Sequence, residues 1–197
     1  MSGKPKPVIV VTGPSGAGKG TLERMLVERM PELELAVSAT TRPQRRGEEN
    51  GREYWFISAE EFERRIKAGE FLEWVPYVSG QRYGTLRSEI ERIHEAGRVP
   101  LLDLEIEGAL TLRDHVPGAV TIFVDAPAFE ELERRLRKRA TESSGEIGER
   151  LALAREQQRK AGEFGYVVVN DERQRAADEL EAIVRAELER AATMSRR

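Results

Sequence analysis

The 197-residue chain contains no cysteine, which excludes disulfides and cysteine-ligated metals. Histidine is nearly as scarce. His94 and His115 lie far apart without zinc-ligand spacing, so each reads as a polar residue of a helix or helix end and no metal ligand is expected among them. Long apolar runs are missing too: none approaches the ~18 residues of a membrane span. The opening MSGKPKP carries no apolar stretch of signal-peptide length before Val8. The expectation is a cytoplasmic protein with no membrane partner. A basic excess is also lacking. The net charge of −3 argues against nucleic acid as a partner, although basic side chains could still cluster around a phosphorylated small molecule.

What is present suits one domain. Hydrophobic residues make up 39%, enough for a proper core at this length. Short β-branched apolar runs at 8–12, 99–105, 120–125 and 166–170 read as buried strands, and 33–38 and 54–57 as further strands. Between them, 19–30, 85–96, 108–115, 129–139, 145–161 and 174–190 read as helices. The stretch 58–69 joins them, with Ser58 as its cap and a glutamate three residues later. Residues 71–83 suggest short antiparallel strands. Strands alternating with helices predict an α/β fold with a central parallel sheet covered on both faces. Two segments interrupt the alternation, roughly 38–85 and 134–160, and inserts of this kind often carry substrate contacts.

The most informative stretch is GPSGAGKGT, which follows the first strand and opens the first helix. Gly13, Gly16 and Gly18 allow backbone N–H groups to turn inward and form an anion nest at the helix N-terminus. Lys19 adds a mobile charge for β- and γ-phosphates, which completes G-x-x-x-x-G-K in the context a phosphate-binding loop requires. The plainer alternative is a tight strand–helix turn with a surface lysine. The full pattern then wants a serine or threonine for Mg²⁺, whereas Gly20 stands there and Thr21 comes next. Either Thr21 reaches the phosphates itself, or Mg²⁺ is held by the nucleotide phosphates and water with little help from the loop.

GKGT in this place resembles the nucleoside monophosphate kinases. With SATTRPQRRGEENGREY (38–54), FLEW (71–74), RYGT (82–85), LLDLEIEGA (101–109) and VVVND (167–171), the chain resembles guanylate kinase over nearly its whole length. The resemblance implies a P-loop NTPase-type three-layer fold made of a core (1–37, 86–133, 161–197), a small mixed GMP-binding insertion (38–85) and a helical lid (134–160). It implies transfer of the γ-phosphoryl group of ATP to GMP, with dGMP as a lesser acceptor and Mg²⁺ bound with ATP. A homo-oligomer is compatible with it.

Residue by residue, the resemblance implies that Gly13, Pro14, Ser15, Gly16, Ala17, Gly18, Lys19, Gly20 and Thr21 hold ATP, with Asn170 near its adenine. Arg42, Arg45, Tyr54 and Tyr83 would hold the acceptor phosphate, and Glu48 would orient the arginines. Glu73 and Asp103 would accept the N1–H and N2–H₂ donors of guanine, while Ser38 and Thr85 supply hydroxyl contacts. Arg135, Arg139 and Arg150 would close over the transferred group. With Lys19 and Arg42 they form the expected catalytic set.

Each has a plainer reading. Arg42, Arg45 and Arg46 suit a solvated loop, Glu73 an exposed strand charge, Asp103 an N-cap or strand-end carboxylate and Asn170 a strand-end turn residue. Arg134, Arg137 and Lys138 read as solvent-facing. Three departures stand out from the family pattern: Glu105 where Asp is frequent, Glu107 where Gln is, and Ala140 where glycine follows the second lid arginine. A ribose-bisphosphate kinase would share the loop without needing the base-reading carboxylates. A phosphopeptide-binding guanylate kinase-like module would have lost the loop.

Overall fold

The computed structural model describes residues 7–76, 80–139 and 144–195, without the side chains of 138–139, 144–147, 149 and 195. Five parallel strands form the central sheet: β1 (Val8–Thr12), β2 (Leu33–Leu35), β7 (Val99–Asp103), β8 (Ala119–Asp125) and β9 (Tyr166–Val169), in the order β2-β7-β1-β8-β9. β1 is central and buried along its whole length. Its period of two divides it between two cores. Ile9 and Val11 join Leu22, Leu26, Ala176 and Leu180 on one face. Val8 and Val10 join Ile90, Ala109, Leu112 and Phe164 on the other. Helices α1 (Lys19–Arg29) and α7 (Arg173–Ser195) supply the first layer. Helices α3 (Arg87–Glu95) and α4 (Ile106–His115) supply the second, which completes the three-layer arrangement expected.

A second, mixed sheet has the order β4-β3-β6-β5, built from β3 (Ala39–Thr40), β4 (Trp55–Phe56), β5 (Phe71–Pro76) and β6 (Arg82–Leu86). Helix α2 (Ala59–Lys67) packs on it through Phe62, whose ring stacks on Phe71 at 4.3 Å between centroids. Ser58 caps α2 by accepting the Glu61 N–H at 3.1 Å. Helices α5 (Phe129–Arg139) and α6 (Ser144–Arg159) complete the chain, with a short 3₁₀ turn at Ala161–Glu163.

Element ends differ from the sequence reading for local reasons. Thr85 and Leu86 belong to β6 instead of the following helix, because they pair with Glu73 and Phe71 of β5. The expected strand 33–38 stops at Leu35: after Ala36 donates to the Leu101 carbonyl, the Val37 N–H turns to the Glu89 carboxylate and the chain leaves the sheet. Helix α4 begins two residues earlier than expected, and α7 continues past Arg190.

Candidate active site

The first cavity lies beyond the carboxyl end of β1. Thr12 Oγ1 donates to the Leu104 carbonyl at 2.8 Å, which fixes the end of β1 to the end of β7. The chain then turns through Gly13 at φ 141° and reaches the helix through Gly18 at φ 94°. Side chains are excluded at both positions. A Cβ on Gly13 would lie 2.0 Å from the Val124 carbonyl oxygen, and one on Gly18 would lie 2.4 Å from Asn170 Nδ2. No side chain caps α1, so its first N–H groups and positive dipole end face the loop's concave side. Lys19 Nζ donates to the Gly13 carbonyl at 2.8 Å. Ser15, Gly16, Lys19, Gly20, Thr21 and Asp103 line the cavity in front.

The outer side of the loop is held from β9 and α5. Asn170 Nδ2 donates to the Ala17 carbonyl at 2.7 Å. Arg135 donates to the same carbonyl at 3.3 Å, to the Asn170 carbonyl at 3.0 Å and to Glu131 at 2.7 Å. These two residues therefore brace the loop as well as lining a wide neighbouring cleft with Gly16, Gly18 and Thr21. Arg134 and Arg137 are exposed and pair along the helix with Glu131 and Glu133, as expected of solvent-facing positions. The side chain of Arg139, and Ala140, lie outside the described residues.

A second cavity of about 480 Å³ opens between the two sheets. Ser38, Arg45, Tyr54, Tyr83, Glu73 and Asp103 line it, and Arg150 of α6 reaches its rim. Arg42 stands behind this wall and is only 8% exposed. Its Nη2 donates to Glu48 at 2.8 Å, its Nη1 to the Pro43 carbonyl at 2.8 Å, and its guanidinium lies over the Tyr54 ring at 5.3 Å. Glu48 also accepts the Arg45 N–H at 2.8 Å, so one carboxylate positions both arginines. The hydrogen bond from Arg42 holds the Glu48 carboxyl below its usual range. Burial pushes the Tyr54 phenol up.

At the cavity floor, Glu73 is 4% exposed and its Oε1 accepts the Thr85 hydroxyl at 2.8 Å. Burial raises its pKa against the opposing bonds from Thr85. The room for this carboxylate comes from Gly108 on α4, where a Cβ would lie 2.6 Å from Glu73 Oε2. The sequence reading did not single out Gly108; only the crossing of α4 by β5 gives it this role.

Asp103 lines both the phosphate-loop cavity and the inter-sheet cavity, so the two meet at the end of β7. Burial raises Asp103 and Glu105, while the Lys19 charge pulls both back down. Glu23 of α1 joins this group and was also missed. It is 3% exposed and raised to about 8, first by burial and then by the Asp103 charge. Glu107 stands apart, paired with Lys160 on the outer side of α4.

The comparisons with known proteins agree with one another. A family model described as guanylate kinase matches residues 4–187. The guanylate kinase of Symbiobacterium thermophilum is 49% identical over 188 residues, covering 95% of this chain and 89% of the relative. That of Rubrobacter xylanophilus is 50% identical over 178 residues, covering 90% and 93%. The crystal structure of guanylate kinase from Anaplasma phagocytophilum superposes with a TM-score of 0.72 at 30% identity, covering 94% of this chain and 88% of that one.

Proposed function

Since the chain belongs to the guanylate kinase family and is an ATP:GMP phosphotransferase, we propose which of its side chains carry each part of that reaction. Gly13–Thr21 hold the ATP phosphates through backbone N–H groups and Lys19. The adenine lies toward the cleft beside Asn170 and Arg135. GMP occupies the inter-sheet cavity. Glu73 and Asp103 accept the guanine N1–H and N2–H₂ donors, and Thr85 and Ser38 supply hydroxyls. Arg42, Arg45, Tyr54 and Tyr83 bind its phosphate, with Glu48 setting the two arginines. The observation that carries this reading is the junction at Asp103, where the nucleotide loop and the acceptor cavity meet.

This placement lets an oxygen of the GMP phosphate attack the γ-phosphorus of ATP while the bond to the β-phosphate oxygen breaks. Phosphoryl transfer asks little covalent chemistry of the protein, so positioning and charge neutralisation are its main contributions. Lys19 spreads charge from the donor side and Arg42 with Arg45 from the acceptor side. Arg135, Arg139 and Arg150 close over the transferred group. Arg135 donates to Glu131 and to the Ala17 and Asn170 carbonyls, which holds its guanidinium beside the loop it is to close over. No general base is invoked. On this reading residues 38–85 form the acceptor-binding region and 134–160 the lid.

Glu105 is a hard oxygen donor beside Lys19, and it fits a hydrated Mg²⁺ that arrives with the triphosphate. Among the described residues no group of three or more histidine, aspartate or glutamate side chains is arranged to hold an ion unaided. The cation would neutralise charge on the phosphates. No helix among the described residues is long and apolar enough to cross a membrane. We place the enzyme in the cytoplasm, where both nucleotides are found.

Glu73 and Asp103 speak against a ribose-bisphosphate acceptor, and the intact loop speaks against a non-catalytic phosphopeptide module. The test is a coupled ADP-release assay with GMP, dGMP, AMP and sugar phosphates. GMP should dominate with dGMP weaker. Equal turnover with AMP, or turnover only with a sugar phosphate, would overturn the residue assignment.

A further inference from the structure

The phosphate-binding loop lacks one of its usual parts, because Gly20 removes the hydroxyl that normally follows the lysine and faces the metal. The structure holds an unexplained group beside that gap. Side chains on a helix lean toward its N-terminus, so Glu23, three residues on, covers the turn at Gly20. Its Oε2 lies 3.8 Å from where a Cβ on residue 20 would be. The residue is 3% exposed, and its Oε1 has no hydrogen-bond partner among the described residues.

Nothing in the packing accounts for a carboxylate here. The other buried residues of α1 are Leu22 and Leu26, and a leucine at 23 would avoid the cost of burying an acid with an unpaired oxygen. The charged groups that bear on Glu23 are Asp103 and Lys19. Arg24, the next residue on the helix, donates to the Gly20 carbonyl at 3.1 Å and lines the phosphate-loop cavity with Lys19. Glu23 and Asp103 lie beside the place where a triphosphate docks, and a divalent cation brought there by the nucleotide would supply the positive charge that pairs with both carboxylates. Magnesium keeps several waters and typically takes one or two carboxylates along with phosphate oxygens.

We propose that the Glu23 carboxylate replaces the hydroxyl missing at Gly20 and anchors the hydrated divalent cation that accompanies ATP. The inference rests on the ATP-site reading above and adds a metal-positioning residue to it. It makes Glu23 a selector: metal-bound ATP is held more tightly than metal-free ATP because of this side chain.

The experiment measures ATP affinity of the full chain by calorimetry, with excess Mg²⁺ and with chelator, and Mn²⁺–ATP binding by electron paramagnetic resonance. Wild type, Glu23→Gln, Glu23→Leu, and Glu23→Leu combined with Gly20→Ser are compared. A serine at 20 has room, since its Cβ would meet nothing closer than 3.8 Å. The ratio of metal-bound to metal-free affinity should fall about tenfold or more in Glu23→Gln, the loss typical of an outer-sphere ligand. Metal-free ATP should bind as well as before or better, and the restored hydroxyl should recover much of the ratio. An unchanged ratio, or equal loss of both affinities, would overturn the proposal and leave Glu23 a structural acid. Should Glu23→Leu misfold, the isosteric glutamine variant decides alone. Lys19→Ala in the same titrations reports separately on the parent reading: it should weaken metal-bound and metal-free ATP alike, and an unchanged ATP affinity there would place the fault in the ATP site and not in Glu23.

Discussion

Replacing Glu73 with glutamine tests the guanine site with little change of shape. The carboxylate is 4% exposed and keeps one oxygen on the Thr85 hydroxyl at 2.8 Å, which leaves its other oxygen and remaining lone pairs for the base. A glutamine that keeps its oxygen toward Thr85 presents an NH₂ group where guanine also presents N–H donors. One charge-assisted hydrogen bond, worth about 1.5–3 kcal/mol, is lost, and buried donors are left facing each other at a further ~1–3 kcal/mol. The sum, about 2.5–6 kcal/mol, corresponds to a fall of roughly 10²- to 10⁴-fold in kcat/KM for GMP.

The fold itself should not weaken. Burial raises the pKa of Glu73 above the ordinary 4.5. Its contribution to stability is therefore complete below the unfolded-state value and is lost as pH rises through the folded-state value. Glutamine removes that loss, so the Tm near pH 7 should hold or rise. The assay is steady-state ADP formation against GMP concentration, with ATP affinity measured by calorimetry. GMP kinetics within a factor of about two of wild type, or an equal loss of ATP affinity, would refute the assignment.

Other substitutions and conditions separate the parts of the site. Lys19→Ala should lower turnover by about 10²-fold or more, as expected for loss of a preorganised charge, while circular dichroism and Tm stay close to wild type. Gly108→Ala puts a Cβ 2.6 Å from Glu73 Oε2; it should raise KM for GMP about tenfold and leave ATP affinity unchanged, read from paired titrations. Arg42→Lys keeps a charge but loses the fork between Glu48 and the Pro43 carbonyl, so KM for GMP should rise and kcat fall, measured in the same coupled assay. GMP affinity should fall as pH drops through the raised pKa of Glu73, because only the carboxylate accepts the guanine donors. In Glu73→Gln that part of the pH profile should vanish, leaving the titration of the GMP phosphate near pH ~6, which calorimetry from pH 5 to 8 would reveal.

The strand–loop–helix at 8–29 was legible because the local signals agree: an apolar run, glycines where the chain must turn left-handed, a lysine, and a helix whose Leu22 and Leu26 recur at i and i+4 on the buried side. The junction at 85–87 was not, because Thr85 and Leu86 are claimed by hydrogen bonds to β5, which local propensity does not encode. The acceptor arginines were legible only through resemblance; taken alone, RPQRR suits a solvated loop, and burial of Arg42 depends on Glu48 and on the Tyr54 ring. Glu23 and Gly108 stayed hidden for the same reason. A glutamate in a helix normally faces water and a helical glycine is normally a weakness, and both acquire their roles from residues distant in sequence: Asp103 for one, Glu73 for the other.

The central claim is that donor and acceptor lie end to end across Asp103. It is tested most directly by a bisubstrate ligand in which adenosine and guanosine are joined through an oligophosphate chain. Titrated calorimetrically, it should bind one per chain, more tightly than ATP or GMP alone, and exclude both. Competition with only one of the two nucleotides would mean that the cavities do not meet as described.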